Sequence, residues 1–455
     1  MTYGRKAILL LFFGDLAVFA ASLWVTLLVR YGQLPDQATL SGHIGPFSIL
    51  FGVWLLIFYM AGLYGKRIVL FKSRLWGAIL RVQLLNIILA ALFFFFVPGI
   101  GIAPKTNLVL YLFISLAAIF AWRLWLFPRV TRPVARACAA LIGGGPEARE
   151  LIDEVNANPR YHLSFPVTAE PHELLADFDS FARKLVESHV SMLVVDTAND
   201  DLRPLLARIY ELALVTHDYQ FLDFYEVYEE VFDRVPLSLL QYEWFLQNAA
   251  GNASGFYAAG KRVMDLICGL LMGLITVILI PFIWLANKLE APGPLFIAQD
   301  RIGLHGTPMK SYKFRSMRFN DAGSSQWVGE HGDNPITKVG SFLRITSLDE
   351  FPQFLNILRD ELSLIGPRND IAGLAERLAD AIPYYNVRYV VKPGITGWAQ
   401  INQQYAPGNI SPQSIEETKT RLAYDFYYVK NRTLLLDIVI ALRTVKRMLF
   451  RVSSW

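Results

Sequence analysis

Asp349 and Glu350 stand side by side in Ser347-Leu348-Asp349-Glu350-Phe351-Pro352, with Arg344 just before them and Gly366-Pro367-Arg368 after. Two adjacent carboxylates between guanidiniums suit phosphate chemistry. A carboxylate can attack phosphorus and become an acyl phosphate. Carboxylates also hold Mg²⁺, as one or two ligands beside a substrate phosphate, and guanidiniums grip phosphate oxygens in pairs. Lys313 and Arg315 add two more cations, and Gly-Pro turns at 292–294, 366–367 and 392–394 offer backbone N–H groups. The same residues also have a purely structural reading. Ser347-x-x-Glu350 is a capping box, and acidic side chains in a first helical turn complement the helix dipole. No Ser/His/Asp arrangement, His or Cys metal cluster or Walker loop stands out elsewhere.

Such residues need elements to hold them. The chain has 455 residues, enough for two or three domains. It is 54% apolar and only 18% charged, where a soluble enzyme carries about a quarter charged residues, so part of it belongs in a membrane. A net charge of +4 gives no argument for nucleic acid, and two distant cysteines, Cys138 and Cys268, make neither a metal pattern nor a disulfide framework. The first apolar run is long and lacks a small-residue cleavage site, so it reads as a span and not as a signal peptide.

Four apolar runs, Ala7–Val29, Pro46–Leu63, Ala78–Val97 and Leu108–Phe127, each approach the roughly 20 residues that cross a bilayer as a helix. Basic residues cluster before the first run (Arg5, Lys6), between the second and third (Lys66, Arg67, Lys72, Arg74) and after the fourth (Arg129, Arg132, Arg136). The positive-inside rule then puts both ends of this unit in the cytoplasm. Within the spans Asp15 reads as isolated, while Arg81 and Arg123 lie near span ends and can snorkel. The unit, residues 1–130, reads as an anchor.

Residues 137–250 read as a small Rossmann-like α/β domain. Strands are expected at Ala137–Ile142, Leu163–Val167, Met192–Asp196 and Tyr219–Leu222. Gly143-Gly144-Gly145-Pro146-Glu147-Ala148 opens a helix in the G-x-G-x-x-A pattern of dinucleotide sites. The acidic ribose partner expected about 20 residues on is not apparent, Glu170 being the nearest candidate. Gly251–Gly260 reads as a linker.

Residues 251–455 form the last expected domain. The apolar run 263–289 is long enough to span, but Pro281 lies inside it and basic residues flank it on both sides. A helix that enters the cytoplasmic leaflet, breaks at Pro281 and returns keeps both clusters on one side. After Asp349, Phe351, Phe354, Leu355 and Leu358 fall on one helical face. Thr433–Leu449 suits an amphipathic helix, lying on the membrane or packed on the domain. The fold class expected is a membrane protein, α plus α/β: four transmembrane helices, a Rossmann-like domain, and an α-rich monotopic domain with a re-entrant helix. Phosphate chemistry with a divalent ion on a membrane-associated substrate is as far as spacing alone leads.

Residues 261–450 resemble the bacterial sugar transferase family, the monotopic phosphoglycosyl transferases. The resemblance lies in Lys261-Arg262-Val263-Met264-Asp265-Leu266, Phe296-Ile297-Ala298-Gln299-Asp300-Arg301-Ile302-Gly303 and Tyr312-Lys313-Phe314-Arg315-Ser316-Met317. It continues in Ser347-Leu348-Asp349-Glu350-Phe351-Pro352-Gln353, Leu364-Ile365-Gly366-Pro367-Arg368, Lys392-Pro393-Gly394-Ile395-Thr396-Gly397-Trp398-Ala399-Gln400-Ile401-Asn402 and Tyr424-Asp425-Phe426-Tyr427-Tyr428. Seven pieces in the right order make a specific signal. The resemblance implies a multi-pass protein of the bacterial cytoplasmic membrane, with its soluble domains in the cytoplasm, that moves a sugar-1-phosphate from a UDP-sugar to undecaprenyl phosphate and releases UMP. It implies Asp349 as nucleophile, Glu350 as its orienting partner or, with Asp349, a ligand of Mg²⁺. Lys313, Arg315, Arg344, Gly366, Pro367 and Arg368 would hold phosphates, Pro281 would break the membrane helix, and a homodimer is one assembly the family allows. This chain departs in having Ile280-Pro281 where many relatives carry Ser-Pro, Asn369 after Arg368, and Gln403-Gln404-Tyr405 where Gly-Arg is frequent. The last difference leaves the donor sugar open.

Overall fold

A computed structural model describes residues 5–61, 63–64, 72–96, 105–130, 136–158, 161, 163–216, 219–248, 255–318, 336–405 and 411–453. The chain divides into two compact units, Met1–Val231 and Phe232–Trp455. Lys66, Arg67 and Arg132, used above to orient the spans, lie outside the described residues, as do positions 251–254 of the expected linker.

In the first unit, α1 (Arg5–Tyr31), α2 (Gln37–Met60), α3 (Lys72–Phe96) and α4 (Lys105–Phe120) hold most of the four apolar runs, α4 continuing through a π-helical turn at Ala121–Leu126. Each is long and apolar enough to cross a membrane. They pack around Phe19, Phe47, Trp54, Phe58 and Tyr111. Asp15 is not isolated, and Arg123 does not snorkel. Arg123, 4% exposed, donates through Nε to Asp15 Oδ1 at 3.0 Å, through Nη2 to Oδ2, and through Nη1 to the Leu63 carbonyl at 2.9 Å. Tyr64 donates to Asp15 Oδ2 at 2.8 Å. A span that turns inward gives a charge no route to water, so the two charges satisfy each other inside the bundle.

The same unit holds a four-stranded parallel sheet in the order β2-β1-β3-β4, from β1 (Ala137–Ile142), β2 (Leu163–Ala169), β3 (Met192–Val195) and β4 (Gln220–Asp223). β1 and β3 are almost wholly buried and correspondingly continuous in apolar residues. Gly145, at φ +96°, supplies the left-handed turn before α5 (Pro146–Ala157). Glu170 directly follows β2 and abuts Gly144, with its carboxyl carbon 3.7 Å from where a Cβ would stand.

In the second unit, α6 (Tyr242–Asn248) precedes α7 (Gly255–Glu290), a single helix of 36 residues. The expected linker therefore ends earlier, since Gly255–Gly260 are already helical. Pro281 lies inside α7, whose helical turns continue past it, and its nitrogen has no hydrogen to give the Val277 carbonyl. One stripe of α7 is buried, including Asp265, Gly269, Met272, Gly273, Thr276, Ile283 and Asn287, while Ile267, Leu271, Leu274, Val277, Ile278 and Phe282 are exposed. Small residues let the partner approach closely: Gly269 meets Ile357, and Gly273 meets the ring of Phe354.

Both ends of α7 are tied to this unit. Near its start, Asp265 Oδ1 accepts from Ser363 Oγ at 3.0 Å and Leu364 N–H at 2.9 Å. Lys261 donates to the Ile365 carbonyl at 2.9 Å and to Asp437 at 3.0 Å. At its end, Glu290 accepts from the Lys338 and Val339 N–H groups. The closing helix (Leu434–Ser453) buries Asp437 and Ile440 against the unit and exposes Ile438, Leu442 and Val445, so it is packed on one face and apolar on another.

Candidate active site

Two short elements carry the acidic pair. α8 (Lys338–Thr346), capped at its start by Thr337, stops at Ser347, whose φ of 57° and ψ of 19° are left-handed. The chain then enters a 3₁₀ turn, Leu348–Gln353, bearing Asp349 and Glu350, before the five-residue α9 (Phe354–Leu358). The capping box is not formed: Ser347 makes no side-chain cap bond, and the Glu350 carboxylate points elsewhere. Two cations outcompete a lone N–H for that carboxylate. The turn also explains Pro352, which sits within it. It shifts the expected apolar face, because Leu355 is 37% exposed while Ile357 is fully buried.

Ser347 therefore acts as a hinge in a conformation that β-branched residues avoid. Ser347→Gly is expected to leave stability within about 1 kcal/mol of the parent and activity intact. Ser347→Val is expected to cost about 1–3 kcal/mol, read from thermal unfolding in detergent.

Glu350 is the hub. Its Oε1 accepts from Lys313 Nζ at 2.7 Å and from Arg368 Nη2 at 2.6 Å, and Oε2 faces Arg368 Nη1 at 3.5 Å. Lys313 comes from β6 (Pro308–Phe314), which pairs antiparallel with β5 (Phe296–Ile302) and sets Lys313 opposite Ile297. Arg368 follows β7 (Ser363–Ile365), paired in parallel with β8 (Gly394–Thr396). Gly366 donates to the Thr396 carbonyl and Pro367 accepts from Gly394 N–H, both at 2.9 Å. A Cβ on Gly366 would lie 2.4 Å from the Lys392 carbonyl oxygen, so only glycine lets this pair close and present Arg368.

Burial works against charge on Glu350, but Arg368 and Lys313 overcome it and hold its carboxyl well below the usual carboxylate range. Asp349 differs. Burial, and then the charge of Glu350, push it up to about 6 against the pull of Lys313, Arg344 and Arg368. Among the described residues its carboxylate has no side-chain hydrogen-bond partner. Arg344 donates from Nε to Ser316 Oγ at 2.9 Å and acts on Asp349 by its charge. Arg315 is not brought into the cluster: its guanidinium donates to the carbonyls of Ala291 and, at 3.1 Å, Arg318. Lys313, Arg368, Glu350 and Asp349 thus meet, Arg344 borders them, and Gly366-Pro367 forms the support.

Beneath Arg368 lies a buried cluster that sequence reasoning does not single out. Arg388, fully buried, donates from Nη2 to the Arg368 carbonyl at 2.9 Å and to Asp425 Oδ2 at 2.7 Å, and from Nη1 to Asp370. Arg421 donates to Asp370 at 2.9 Å, and the Tyr385 and Tyr389 hydroxyls donate to Asp370 at 2.7 and 3.0 Å. Two guanidiniums balance two carboxylates, as burial requires. Asp425 lies in one of the pieces that carry the family resemblance, but Arg388, Arg421 and Asp370 show in the sequence only as charge among tyrosines, which a solvated surface shows equally well.

The description "Bacterial sugar transferase" matches residues 256–451. The chain is 32% identical, over 56% of its length and 58% of the relative, to UDP-N-acetylgalactosamine-undecaprenyl-phosphate N-acetylgalactosaminephosphotransferase of Aeromonas hydrophila. It is 38% identical, over 42% of its length and 40% of the relative, to UDP-glucose:undecaprenyl-phosphate glucose-1-phosphate transferase of Escherichia coli (strain K12). The protein of the same description from Caulobacter vibrioides is 36% identical over 42% of this chain and 69% of its own length. The match thus spans about half the length of the first two relatives. All the clustered residues, from Lys313 to Asp425, fall inside the matched region, more than two thirds of the Caulobacter protein is covered, and the chain belongs to the bacterial sugar transferase family.

Proposed function

We propose that this protein transfers a sugar-1-phosphate from a UDP-sugar to undecaprenyl phosphate, releasing UMP, as the first membrane step of exopolysaccharide, capsule or O-antigen synthesis. The observation that carries this reading is the unequal pair. Glu350 is neutralised by Lys313 and Arg368, whereas the Asp349 carboxylate beside it has no side-chain hydrogen-bond partner among the described residues. A carboxylate oxygen of Asp349 attacks the phosphorus next to the sugar, the bond from that phosphorus to the UMP oxygen breaks, and UMP leaves with the electron pair. The lipid phosphate oxygen then attacks the same phosphorus, and Asp349 departs as a carboxylate. Arg368, Lys313 and Arg344 offset the charge that builds on phosphate oxygens in both steps.

For Mg²⁺ the donor set is small. Among the described residues no group of three or more His, Cys, Asp or Glu could hold a metal, and Glu350 already faces two cations. Asp349 fits as a single protein ligand, the remainder being substrate phosphate and water, which is how Mg²⁺ is commonly held. When bound, the ion would neutralise diphosphate charge.

The membrane arrangement follows the same reading. Because both ends of α7 hydrogen-bond to one unit, a re-entrant course with both ends on the cytoplasmic side is the economical one. Single cysteines beside Lys261 and Lys288 should both label from the cytoplasmic face; labelling from opposite faces would establish a fifth span. The reaction itself is tested by incubating purified full-length protein with undecaprenyl phosphate and a panel of UDP-sugars. UMP release with at least one donor is expected, and none with any donor would sink the proposal.

A further inference from the structure

Residues 232–248 precede the family match at 256–451, yet they are built into the second unit. Val235 N–H donates to the Ala423 carbonyl at 3.2 Å, and Trp398 Nε1 donates to the Asp233 carbonyl at 2.8 Å. Val235, Leu240 and Phe245 are buried. The ring of Phe245 lies 4.8 Å from Tyr384 and 5.1 Å from Phe426, and Tyr242 meets Tyr384 edge-on at 5.1 Å. Tyr384 is thus held between two aromatic rings of the upstream arm.

The backbone of Tyr384 is left-handed, with φ 61°. A bulky residue keeps such a conformation only where its surroundings impose it. The 3₁₀ turn Tyr385–Val390 starts at that residue. From this turn the Tyr385 hydroxyl reaches Asp370, and Arg388 grips the Arg368 carbonyl. An unbroken run of contacts therefore joins Phe245 to the guanidinium that holds Glu350.

We infer that Phe245 and Tyr242 are positioning residues for the phosphate site: by clamping Tyr384 in its left-handed conformation they fix Arg388 under Arg368. The inference rests on the transferase reading for its kinetic consequence, but the mechanical claim is separate and can be measured without turnover. If the clamp acts through the Tyr384 backbone, a residue that adopts the left-handed region freely should make it dispensable.

The full-length protein in detergent is compared with Phe245→Ala, Tyr242→Ala and Phe245→Ala/Tyr384→Gly by hydrogen exchange over residues 363–370. Exchange there is expected to quicken about tenfold in Phe245→Ala and less in Tyr242→Ala, and to return toward the parent rate in the double variant. In UMP release, Phe245→Ala should lower kcat/KM about tenfold with kcat falling too, because a loosened Arg368 offsets less of the charge that builds in the chemical steps. Should Phe245→Ala fail to fold, Tyr242→Ala, whose side chain is 75% exposed, carries the same exchange test. Unaltered exchange in the folded single variants, or quickened exchange that Tyr384→Gly does not reverse, overturns the inference. A parent protein that releases no UMP overturns the transferase reading and leaves the exchange result to decide this one.

Discussion

Asp349→Asn is expected to abolish sugar-phosphate transfer, by on the order of 10³-fold or more, while making the protein harder to unfold. The two effects share one cause. The carboxyl of Asp349 is pushed up to about 6 by burial and by Glu350, so its ionised form is disfavoured in the folded state. A group whose folded value lies above its unfolded value of 3.8 loses stabilisation as pH rises through that interval. At neutral pH the native protein carries the cost of holding a charged carboxylate there, and the amide removes it. A gain of roughly 1–3 kcal/mol is expected above pH 6, vanishing below about pH 4. The parent's turnover should rise with pH and reach half its plateau near 6. Thermal unfolding and UMP release across pH 4–8 check both. Near-normal activity in Asp349→Asn would remove the nucleophile assignment, and a drop in unfolding temperature at pH 7 would contradict the electrostatic account.

Glu350→Gln should do the opposite to stability. Lys313 and Arg368, with side chains 12% and 27% exposed, share this one carboxylate. Replacing it by an amide leaves two cations without their counter-charge, a loss of about 3–5 kcal/mol, or roughly 10 °C in a domain of this size. Here the folded value lies below the ordinary one. The stabilisation is therefore present above about pH 4.5 and is lost as pH falls further. The gap in unfolding temperature between parent and Glu350→Gln should accordingly be full at pH 7 and narrow on acidification. Activity should fall with it, because Lys313 and Arg368 lose the group that aims them. A variant as stable as the parent at pH 7 would show that Glu350 is not the electrostatic centre of the cluster.

These contrasting roles were only partly legible in the sequence. Local pattern located what depends on local pattern: Ala137–Ile142 is strand over its whole predicted length, and the other three strands differ from expectation by a residue or two at their ends. The apolar runs fall in apolar helices for the same reason. Adjacent carboxylates and nearby cations could be named, but which of them meet could not. Ser347 and Glu350 have the spacing of a capping box; the competitors for Glu350 come from 37 residues upstream and 18 downstream. Asp15 looked isolated because Arg123 is 108 residues away. Arg388 and Arg421 are not distinguished by their neighbours in the chain, because their burial is a property of the assembled unit.

The tie at the start of α7 has a consequence for how the protein is made. Lys261 finds its counter-charge in Asp437, 176 residues later in the chain. At a synthesis rate of about 5–20 residues per second, that interval is roughly 10–35 s. On the membrane course proposed above, α7 is complete and available to the lipid before the group that fastens its first turn has been synthesised. On that reading Asp437 fastens a course that the sequence of α7 has already set. A chain ending before Asp437 is expected on that reading to insert α7 while lacking the carboxylate with which Lys261 pairs.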